Sequence, residues 1–308
     1  MKICSLLPSA TEILFALGLG DQVVGVSHEC DFPPEARSRA ILIKSRISHT
    51  ESAAAIDRQV REFLERGESL YSVDIEQLCA IEPDLIVTQD LCHVCAATPD
   101  DLGAALAHLK HQPRVVTLNP HSLADVCADI SAVGEATGRA EQANALVAEF
   151  EKGIAIVERL VAGLDHPRVL CLEWLDPPYV AGHWVPEMVE RAGGIDVLGL
   201  AGKPSFRVEW ETALAARPEV IFIMPCGYSL AAAEAEFRNL PLPQGWNDLP
   251  AVRNGHVFVV EASGYFSRPG PRLAAGLAIL AGAIHDKQDK RNLSGEPGAL
   301  AVRIPADN

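Results

Sequence analysis

The stretch that decides the fold is DIEQLCAIEPDLIVT, residues 74–88, which is matched by EWETALAARPEVIFI, residues 209–223. Glu76 aligns with Glu211 and Pro83 aligns with Pro218, both at an offset of 135 residues. Each copy predicts a short helix, a break at the proline, and then a buried apolar strand.

A second pair of segments repeats in the same order. TEILFALGLGDQVV, residues 11–24, matches PEMVERAGGIDVL, residues 186–198, so that Glu12 aligns with Glu187 and Gly18 with Gly193. The offset is 175 here, so the amino-terminal half carries extra residues between its two matched segments. Two matches in one order predict a single supersecondary plan that is used twice.

Apolar runs alternate with helical patterns along most of the chain. This alternation predicts an α/β protein with parallel sheets. The predicted strands are KICSLL, VVGVS, DLIVTQ, RVVTL, RVLCL, EVIFIM and HVFVV.

One long helix is predicted near the middle of the chain. Residues 139–164 contain no proline, and their apolar residues recur at helical spacing. We interpret this helix as a connector between an amino-terminal α/β lobe, residues 1–138, and a carboxy-terminal α/β lobe, residues 165–286. Residues 287–308 are polar and contain glycine and proline, which predicts a disordered tail.

Composition limits the possible functions. The formal net charge is -15, which argues against nucleic-acid binding and against binding to anionic membranes. No apolar run approaches the roughly 18 residues of a membrane span, so direct membrane insertion is not expected. Pro8 and Glu12 interrupt the apolar start, which does not resemble a signal peptide. The sequence as written therefore predicts a cytoplasmic protein with reduced cysteines, or a periplasmic one if its start has been trimmed.

Candidate binding residues follow the predicted strands. Ligands of open α/β sheets lie beyond the carboxyl ends of the strands, where Ser9, His28 and several aromatic residues are expected. If the two lobes face each other, these loops line one cleft, and the aromatic side chains form a wall for a large, partly apolar ligand. The alternative is that they cover the core of their lobe. The aromatic candidates are Tyr179, Trp184, Tyr265 and Phe266.

The sequence offers no enzymatic motif of comparable strength. It contains no Walker A pattern, no G-x-G-x-x-G and no G-x-S-x-G. Cys92 and Cys95 form a C-x-x-C, but a structural zinc site needs four ligands. A plain loop, a metal site and a redox pair all remain open for these two cysteines.

Four segments resemble the cobalamin-binding substrate-binding proteins of ABC importers. They are VVGVSHECDFPPEA, DIEQLCAIEPDLIVTQD, DPPYVAGHW and YFSRPGPRL, and the resemblance extends to about residue 283. It implies two α/β lobes joined by one rigid helix, with a corrinoid bound between them and no catalysis. In the family, an aromatic residue after the paired prolines contacts the corrinoid, which implies Tyr179. Aromatic residues of the last cleft loop do likewise, which implies Tyr265 or Phe266.

The resemblance also implies a membrane partner. A glutamate in each lobe docks onto arginines of the permease dimer, and the matching residues are Glu76 and Glu211. Each also lies near the start of a predicted helix, where a carboxylate favours the helix dipole. The functional hypotheses are thus a corrinoid-binding protein of an importer, a cytoplasmic corrinoid carrier, a metal or redox enzyme that uses Cys92 and Cys95, and a binding protein for haem or an iron–siderophore.

Overall fold

The computed structural model describes residues 1–48, 52–90, 99–285 and 301–304. Its contacts divide the chain into two compact units. The amino unit comprises most of residues 1–148. The carboxy unit comprises Glu149–Asn308 and two short earlier segments, Ser52–Ala54 and His121–Leu123. The division falls inside one long helix, Ala140–Val161, which lies within the range predicted for the connecting helix.

The amino unit is built on a six-stranded sheet with the strand order β4-β3-β2-β1-β5-β6. Its strands pair in parallel except for β4, which runs antiparallel to β3. The strands are β1 (Ile3–Ser5), β2 (Val23–Ser27), β3 (Ala40–Ser45), β4 (Tyr71–Val73), β5 (Leu85–Gln89) and β6 (Arg114–Leu118). The helices of this half of the chain are α1 (Pro8–Ala16), α2 (Ala53–Glu65), α3 (Ile75–Ile81), α4 (Pro99–Leu106), α5 (Leu123–Thr137) and α6 (Ala140–Val161).

The sheet of the carboxy unit has a parallel centre and antiparallel edges. Its strand order is β10-β8-β7-β11-β12-β13, and β9 pairs with β7. The strands are β7 (Arg168–Leu175), β8 (Pro178–Val180), β9 (Ile195–Asp196), β10 (Phe206–Arg207), β11 (Val220–Ile223), β12 (Val257–Val260) and β13 (Ala301–Ile304). The helices are α7 (Val185–Arg191), α8 (Trp210–Ala215), α9 (Leu230–Asn239), α10 (Pro250–Arg253), α11 (Ala262–Tyr265) and α12 (Leu273–Ile284).

The repeat in the sequence is also a repeat in the structure. The first copy forms α3 and β5, and the second forms α8 and β11. The residue before each proline has a left-handed backbone, with φ 50° at Glu82 and φ 45° at Arg217. This agrees with the steric rule that a residue preceding proline avoids the α-helical region, so each helix ends there.

In the amino unit a hydrogen-bonded clamp holds the start of β1 against the turn that leads into β5. The Asp84 carboxylate accepts the backbone N–H of Lys2 at 2.7 Å, and the Asp84 N–H donates to the Lys2 carbonyl at 2.9 Å. The Lys2 ammonium donates to the carbonyl of Ile81 at 2.7 Å.

The carboxy unit repeats this clamp with different side chains. The Glu219 carboxylate accepts the backbone N–H of Arg168 at 2.9 Å, and the Glu219 N–H donates to the Arg168 carbonyl at 2.7 Å. The Arg168 guanidinium donates to the carbonyl of Ala216 at 2.7 Å. The shared plan therefore extends to individual hydrogen bonds at the amino ends of both sheets.

The cores of the two units consist mainly of strand residues. Every residue of β5 and β11 is buried. Cys4 and Cys171 are almost fully buried among these core residues, while Cys79 is only partly buried. Burial raises the pKa of the Cys4 thiol to about 12 and raises that of Cys171 well above its ordinary value.

The predicted disorder of the tail is wrong for residues 301–304. They form the edge strand β13, which pairs antiparallel with β12, from Ala301 opposite Val260 to Ile304 opposite Val257. Pairing with a preformed sheet edge supplies the hydrogen bonds that so short a segment cannot make by itself. In the described ranges, no helix has both the length and the apolar character needed to cross a membrane.

Candidate functional site

The carboxyl edge of the second sheet carries the aromatic residues of the candidate site. The central strands β7, β11 and β12 run parallel, so their carboxyl ends meet at one edge. Ligands of open α/β sheets bind at this edge. The chain leaves it through the β7–β8 hairpin, through Pro225–Tyr228 after β11, and through Glu261 and α11 after β12.

Tyr179 lies on β8 and keeps part of its side chain exposed. In the antiparallel register it stands directly opposite Trp174 of β7. Directly opposed residues project from the same face of a sheet and their side chains are neighbours. The hairpin therefore presents two aromatic side chains side by side, and Tyr179 remains the aromatic candidate that is best placed to contact a ligand.

Trp184, Tyr265 and Phe266 are packed inside the carboxy unit. Their exposed fractions are 4%, 3% and 1%, respectively. The indole N–H of Trp184 donates to the backbone carbonyl of Phe266 at 2.7 Å, and the Arg272 guanidinium lies over the Tyr265 ring at 5.4 Å. Their contact with a ligand stays a prediction, but their burial favours the alternative that they cover the core.

His183 occupies a constrained position between β8 and α7. Its backbone is left-handed, with φ 52°, and its N–H donates to the Lys203 carbonyl at 2.6 Å. Its ring stacks on Trp184 and lies 5.6 Å from the ring of His121, a residue that clusters with the carboxy unit. Burial lowers the pKa of His183, and the neighbouring His121 lowers it further, so the imidazole is held neutral.

His28 follows β2 in the amino unit. Its Nδ1 lies 3.1 Å from the carbonyl of Ile43, and its ring lies 6.3 Å from that of Tyr71. Burial lowers the pKa of His28, while the bond to Ile43 opposes that shift. His28 is thus a partly buried, neutral residue at the carboxyl end of its strand, as predicted from its position. Its role in binding remains a prediction.

Ser9 lies in the first turn of α1 and is 1% exposed. It belongs to a group of small buried polar residues near the carboxyl ends of β1, β2 and β5. Within this group the Thr11 hydroxyl donates to the Ser5 hydroxyl at 2.8 Å. The group contains Ser5, Ser9, Thr11, Ser27, Thr88 and Gln89. The described part of this edge of the first sheet therefore contains a cluster of buried hydroxyls and an amide, beside the rings of His28 and Tyr71.

Glu76 and Glu211 occupy equivalent positions in the two units. Each is exposed and lies in the first turn of its helix, α3 or α8. The Asp74 side chain caps α3 by accepting the N–H of Gln77 at 3.0 Å, so Glu76 is not needed as the cap of that helix.

Cys92 and Cys95 lie outside the described residues. The metal or redox hypothesis that depends on this pair is therefore not tested. Among the residues that are described, no group of three or more His, Cys, Asp or Glu side chains could hold a metal ion.

Two functional candidates were missed by reasoning from the sequence. Trp174 and Tyr228 lie at the carboxyl ends of the adjacent strands β7 and β11, and their rings meet edge to face at 5.6 Å. The signal was available, because Trp174 precedes Tyr179 by five residues. The apolar run RVLCL, however, hid the continuation of the strand to Leu175.

These features define the class of protein: two α/β units built on one plan, each with an open and mainly parallel sheet. The family model described as periplasmic binding protein matches residues 3–263. The chain therefore belongs to the periplasmic binding protein family, and the predicted α/β class and family resemblance are confirmed.

The individual proteins that the chain resembles share about a quarter of its residues or fewer. The vitamin B12-binding protein of Vibrio cholerae is 25% identical over 275 residues, which cover 88% of this chain and 84% of that protein. The solved structure of the periplasmic vitamin B12-binding protein BtuF of Vibrio cholerae superposes with a TM-score of 0.67 at 22% identity, covering 93% of this chain and 98% of that chain. The apo form of the periplasmic heme-binding protein RhuT from Roseiflexus sp. RS-1 superposes with a TM-score of 0.68 at 26% identity, covering 92% and 98%.

Proposed function

We propose that this protein binds cobalamin or a related corrinoid as the substrate-binding component of an ABC importer. The observation that carries the proposal is the alignment of 88% of the chain with a vitamin B12-binding protein. The partly exposed aromatic hairpin of the carboxy unit supports it, because a corrinoid is a broad, flat ligand with extensive apolar surface. The position of the ligand between the two units remains a prediction from the sequence.

Such a site binds and releases its ligand and carries out no chemical step. Aromatic side chains such as Tyr179 offer a large, rigid contact area at a low cost in side-chain entropy. A neutral His183 adds no charge that would have to be removed from water when an uncharged macrocycle binds. We therefore assign no catalytic residue.

Haem is the second candidate ligand. The structural similarity to a heme-binding protein is as high as that to the vitamin B12-binding protein. Haem and corrinoids are both flat tetrapyrroles, so an aromatic hairpin accommodates either. They differ at the rim, where haem carries carboxylates and cobalamin carries amides and a phosphodiester.

Co-elution in gel filtration tests the proposal. The purified protein is incubated separately with cobalamin, haem and a ferric siderophore, and the visible spectrum of the protein peak is measured. We expect cobalamin to co-elute at about one molecule per chain. Retention of haem alone would replace the proposed ligand by the second candidate, and retention of none of the three would refute the proposal.

We further propose that Glu76 and Glu211 contact cations of a permease dimer. Two equivalent exposed carboxylates, one in each unit, suit a partner that presents the same cation twice, and arginine binds carboxylates bidentately. Glu76→Arg/Glu211→Arg is expected to abolish capture of the cognate permease in a pull-down while cobalamin affinity is unchanged. Glu62→Arg/Glu149→Arg is the matched control at two other exposed glutamates. Normal capture of the permease by the first double variant would leave only the helix-dipole role.

The similar solved structures also support a proposal about the cellular compartment of this protein. The two similar solved structures are described as periplasmic proteins. We therefore propose that this protein acts in the periplasm, in preference to the cytoplasmic location predicted from the sequence as written. Cell fractionation with an antibody against the chain tests this, and recovery in the cytoplasmic fraction alone would contradict it.

A further inference from the structure

Trp174 and Tyr228 form an edge-to-face pair at the carboxyl ends of two neighbouring strands. Their ring centroids are 5.6 Å apart and their planes cross at 79°. Trp174 lies on β7, and Tyr228 follows β11, which pairs in parallel with β7. Both side chains are partly buried. Because Tyr179 stands opposite Trp174 on the β8 strand, the pair adjoins the aromatic residue that was expected to contact the ligand.

Both members of the pair carry a polar atom that no described residue satisfies. The Nε1 atom of Trp174 and the hydroxyl of Tyr228 are shielded from solvent, and neither has a hydrogen-bond partner among the described residues. Trp184 shows the usual solution in the same unit, because its Nε1 donates to a backbone carbonyl at 2.7 Å. Buried polar groups are nearly always hydrogen-bonded, so each exception calls for an explanation, such as a water molecule or a ligand that completes it.

The chemistry of the pair defines what could satisfy it. An indole Nε1 is only a donor. Burial raises the pKa of Tyr228 to about 12, and the charge of Glu236 raises it as well, so the phenol keeps its proton at neutral pH. The two groups together therefore offer an N–H and an O–H. Their complement is an oxygen that accepts hydrogen bonds, such as an amide carbonyl, a carboxylate or a phosphate oxygen.

We propose that Trp174 and Tyr228 form a hydrogen-bond donor subsite for an acceptor oxygen on the rim of the ligand. The subsite fixes the orientation of the ligand, while Tyr179 contacts its flat face. This assignment rests on the proposed function. Because both polar atoms are shielded in this structure, the proposal requires that at least one of the two side chains turns when the ligand binds.

Two conservative variants test the subsite. Trp174→Phe and Tyr228→Phe keep an aromatic ring and remove only the donor, together with part of the indole in the first case. Each is expected to weaken ligand binding roughly threefold to tenfold if the acceptor is neutral, and more than tenfold if it is charged. Titration calorimetry measures the affinities. Trp210→Phe, in a second edge-to-face pair of the same unit, is the matched control.

Three probes identify the acceptor. Cobalamin carries amides and a phosphodiester, cobinamide keeps the amides and lacks the phosphodiester, and haem carries carboxylates. Weaker binding of both corrinoids indicates an amide carbonyl, and weaker binding of cobalamin alone indicates a phosphate oxygen. If the wild type binds only haem and the variants bind it more weakly, the acceptor is a carboxylate. That last result supports the subsite and refutes the corrinoid proposal.

Other outcomes separate the inference from the proposed function. Unchanged affinity in both variants, for a probe that the wild type binds, overturns the subsite and leaves the proposed function standing. Failure of the wild type to bind any probe refutes the proposed function and the subsite with it. The melting temperature of ligand-free Tyr228→Phe is a further check. Removal of an unsatisfied hydroxyl should not lower it, whereas a clear decrease means that the hydroxyl already has a structural partner, which overturns the inference.

Discussion

The two units of this protein are alike at the amino ends of their sheets and different at the carboxyl ends. At the amino ends, Asp84 makes two hydrogen bonds with the backbone of Lys2, and Glu219 makes the same two with the backbone of Arg168. At the carboxyl ends, the described residues of the amino unit include a cluster of six buried hydroxyl- and amide-bearing side chains. Those of the carboxy unit include the partly exposed aromatic residues Trp174, Tyr179 and Tyr228.

This difference separates scaffold from site. A repeated plan keeps the contacts that position its strands, because they are needed wherever the plan is used. The edge at which ligands bind can change without disturbing these contacts. The aromatic carboxyl edge of the carboxy unit is therefore the surface that we expect to contact the flat face of the ligand, and the clamps are expected to matter for stability alone.

The largest effect on stability is expected at Gly276, where α12 packs closely against the backbone of Tyr265. A Cβ at Gly276 of α12 would overlap the carbonyl oxygen of Tyr265, which is backbone and cannot yield easily. Gly276→Ala should destabilise the protein by about 1–3 kcal/mol or more, by overpacking. Gly103→Ala is the control. Gly103 lies in α4 with open space around its Cα, so alanine there should stabilise by roughly 0.5–1 kcal/mol. Urea unfolding measures both, and equal effects would contradict this account of the packing.

Each unit has a buried carboxyl group that should make the stability of the protein depend on pH. In the amino unit, burial raises the pKa of Asp129 to about 7, against a hydrogen bond from the Asn119 backbone, and in the carboxy unit burial raises that of Asp196 to about 6. Both folded-state values exceed the ordinary value of 3.8. The folded protein therefore holds protons that the unfolded chain has released, and stability falls as pH rises through this window.

Asparagine at these positions should remove that pH dependence. Between about pH 4 and pH 7, the unfolding midpoint in urea should fall less for Asp129→Asn than for the wild type. Asp196→Asn should flatten the curve only up to about pH 6. Parallel curves for the wild type and Asp129→Asn would show that this carboxyl has an ordinary pKa in the folded state.

A smaller loss of stability is expected when the carboxylate of either clamp, Asp84 or Glu219, is removed. Asp84→Ala and Glu219→Ala each remove a carboxylate that accepts one backbone N–H at an exposed site, which is worth about 1 kcal/mol. The two losses should be similar, and neither should change ligand affinity. Thermal unfolding and calorimetry measure the two quantities. A large loss at one clamp and none at the other would break the equivalence of the units.

Much of the scaffold could be predicted from the sequence. The matched prolines, Pro83 and Pro218, located both helix–strand repeats, because proline ends a helix through local steric effects. The edge strand β13 was missed, since its pairing with β12 joins residues more than forty positions apart and leaves little trace in a four-residue segment.

The candidate site was harder to predict than the scaffold. An aromatic residue in a loop can cover the core or contact a ligand, and only packing decides between these. Trp184 is buried because its indole N–H meets the carbonyl of Phe266, a residue 82 positions away. Tyr179 keeps part of its side chain exposed although its strand, β8, is paired with β7 on one side and β10 on the other. Trp174→Phe and Tyr179→Ala are therefore better probes of binding than Trp184→Ala, which removes a buried group.

The most direct test of the account is the affinity of Tyr179→Ala for cobalamin. Loss of an aromatic contact surface should weaken binding by about 1–3 kcal/mol, measured by titration calorimetry, while Tyr179→Phe keeps the ring and should bind nearly as well as the wild type. Thermal unfolding of the ligand-free variants verifies that both fold. Wild-type affinity in a folded Tyr179→Ala protein would contradict the assignment of the ligand contact surface to the aromatic carboxyl edge of the carboxy unit.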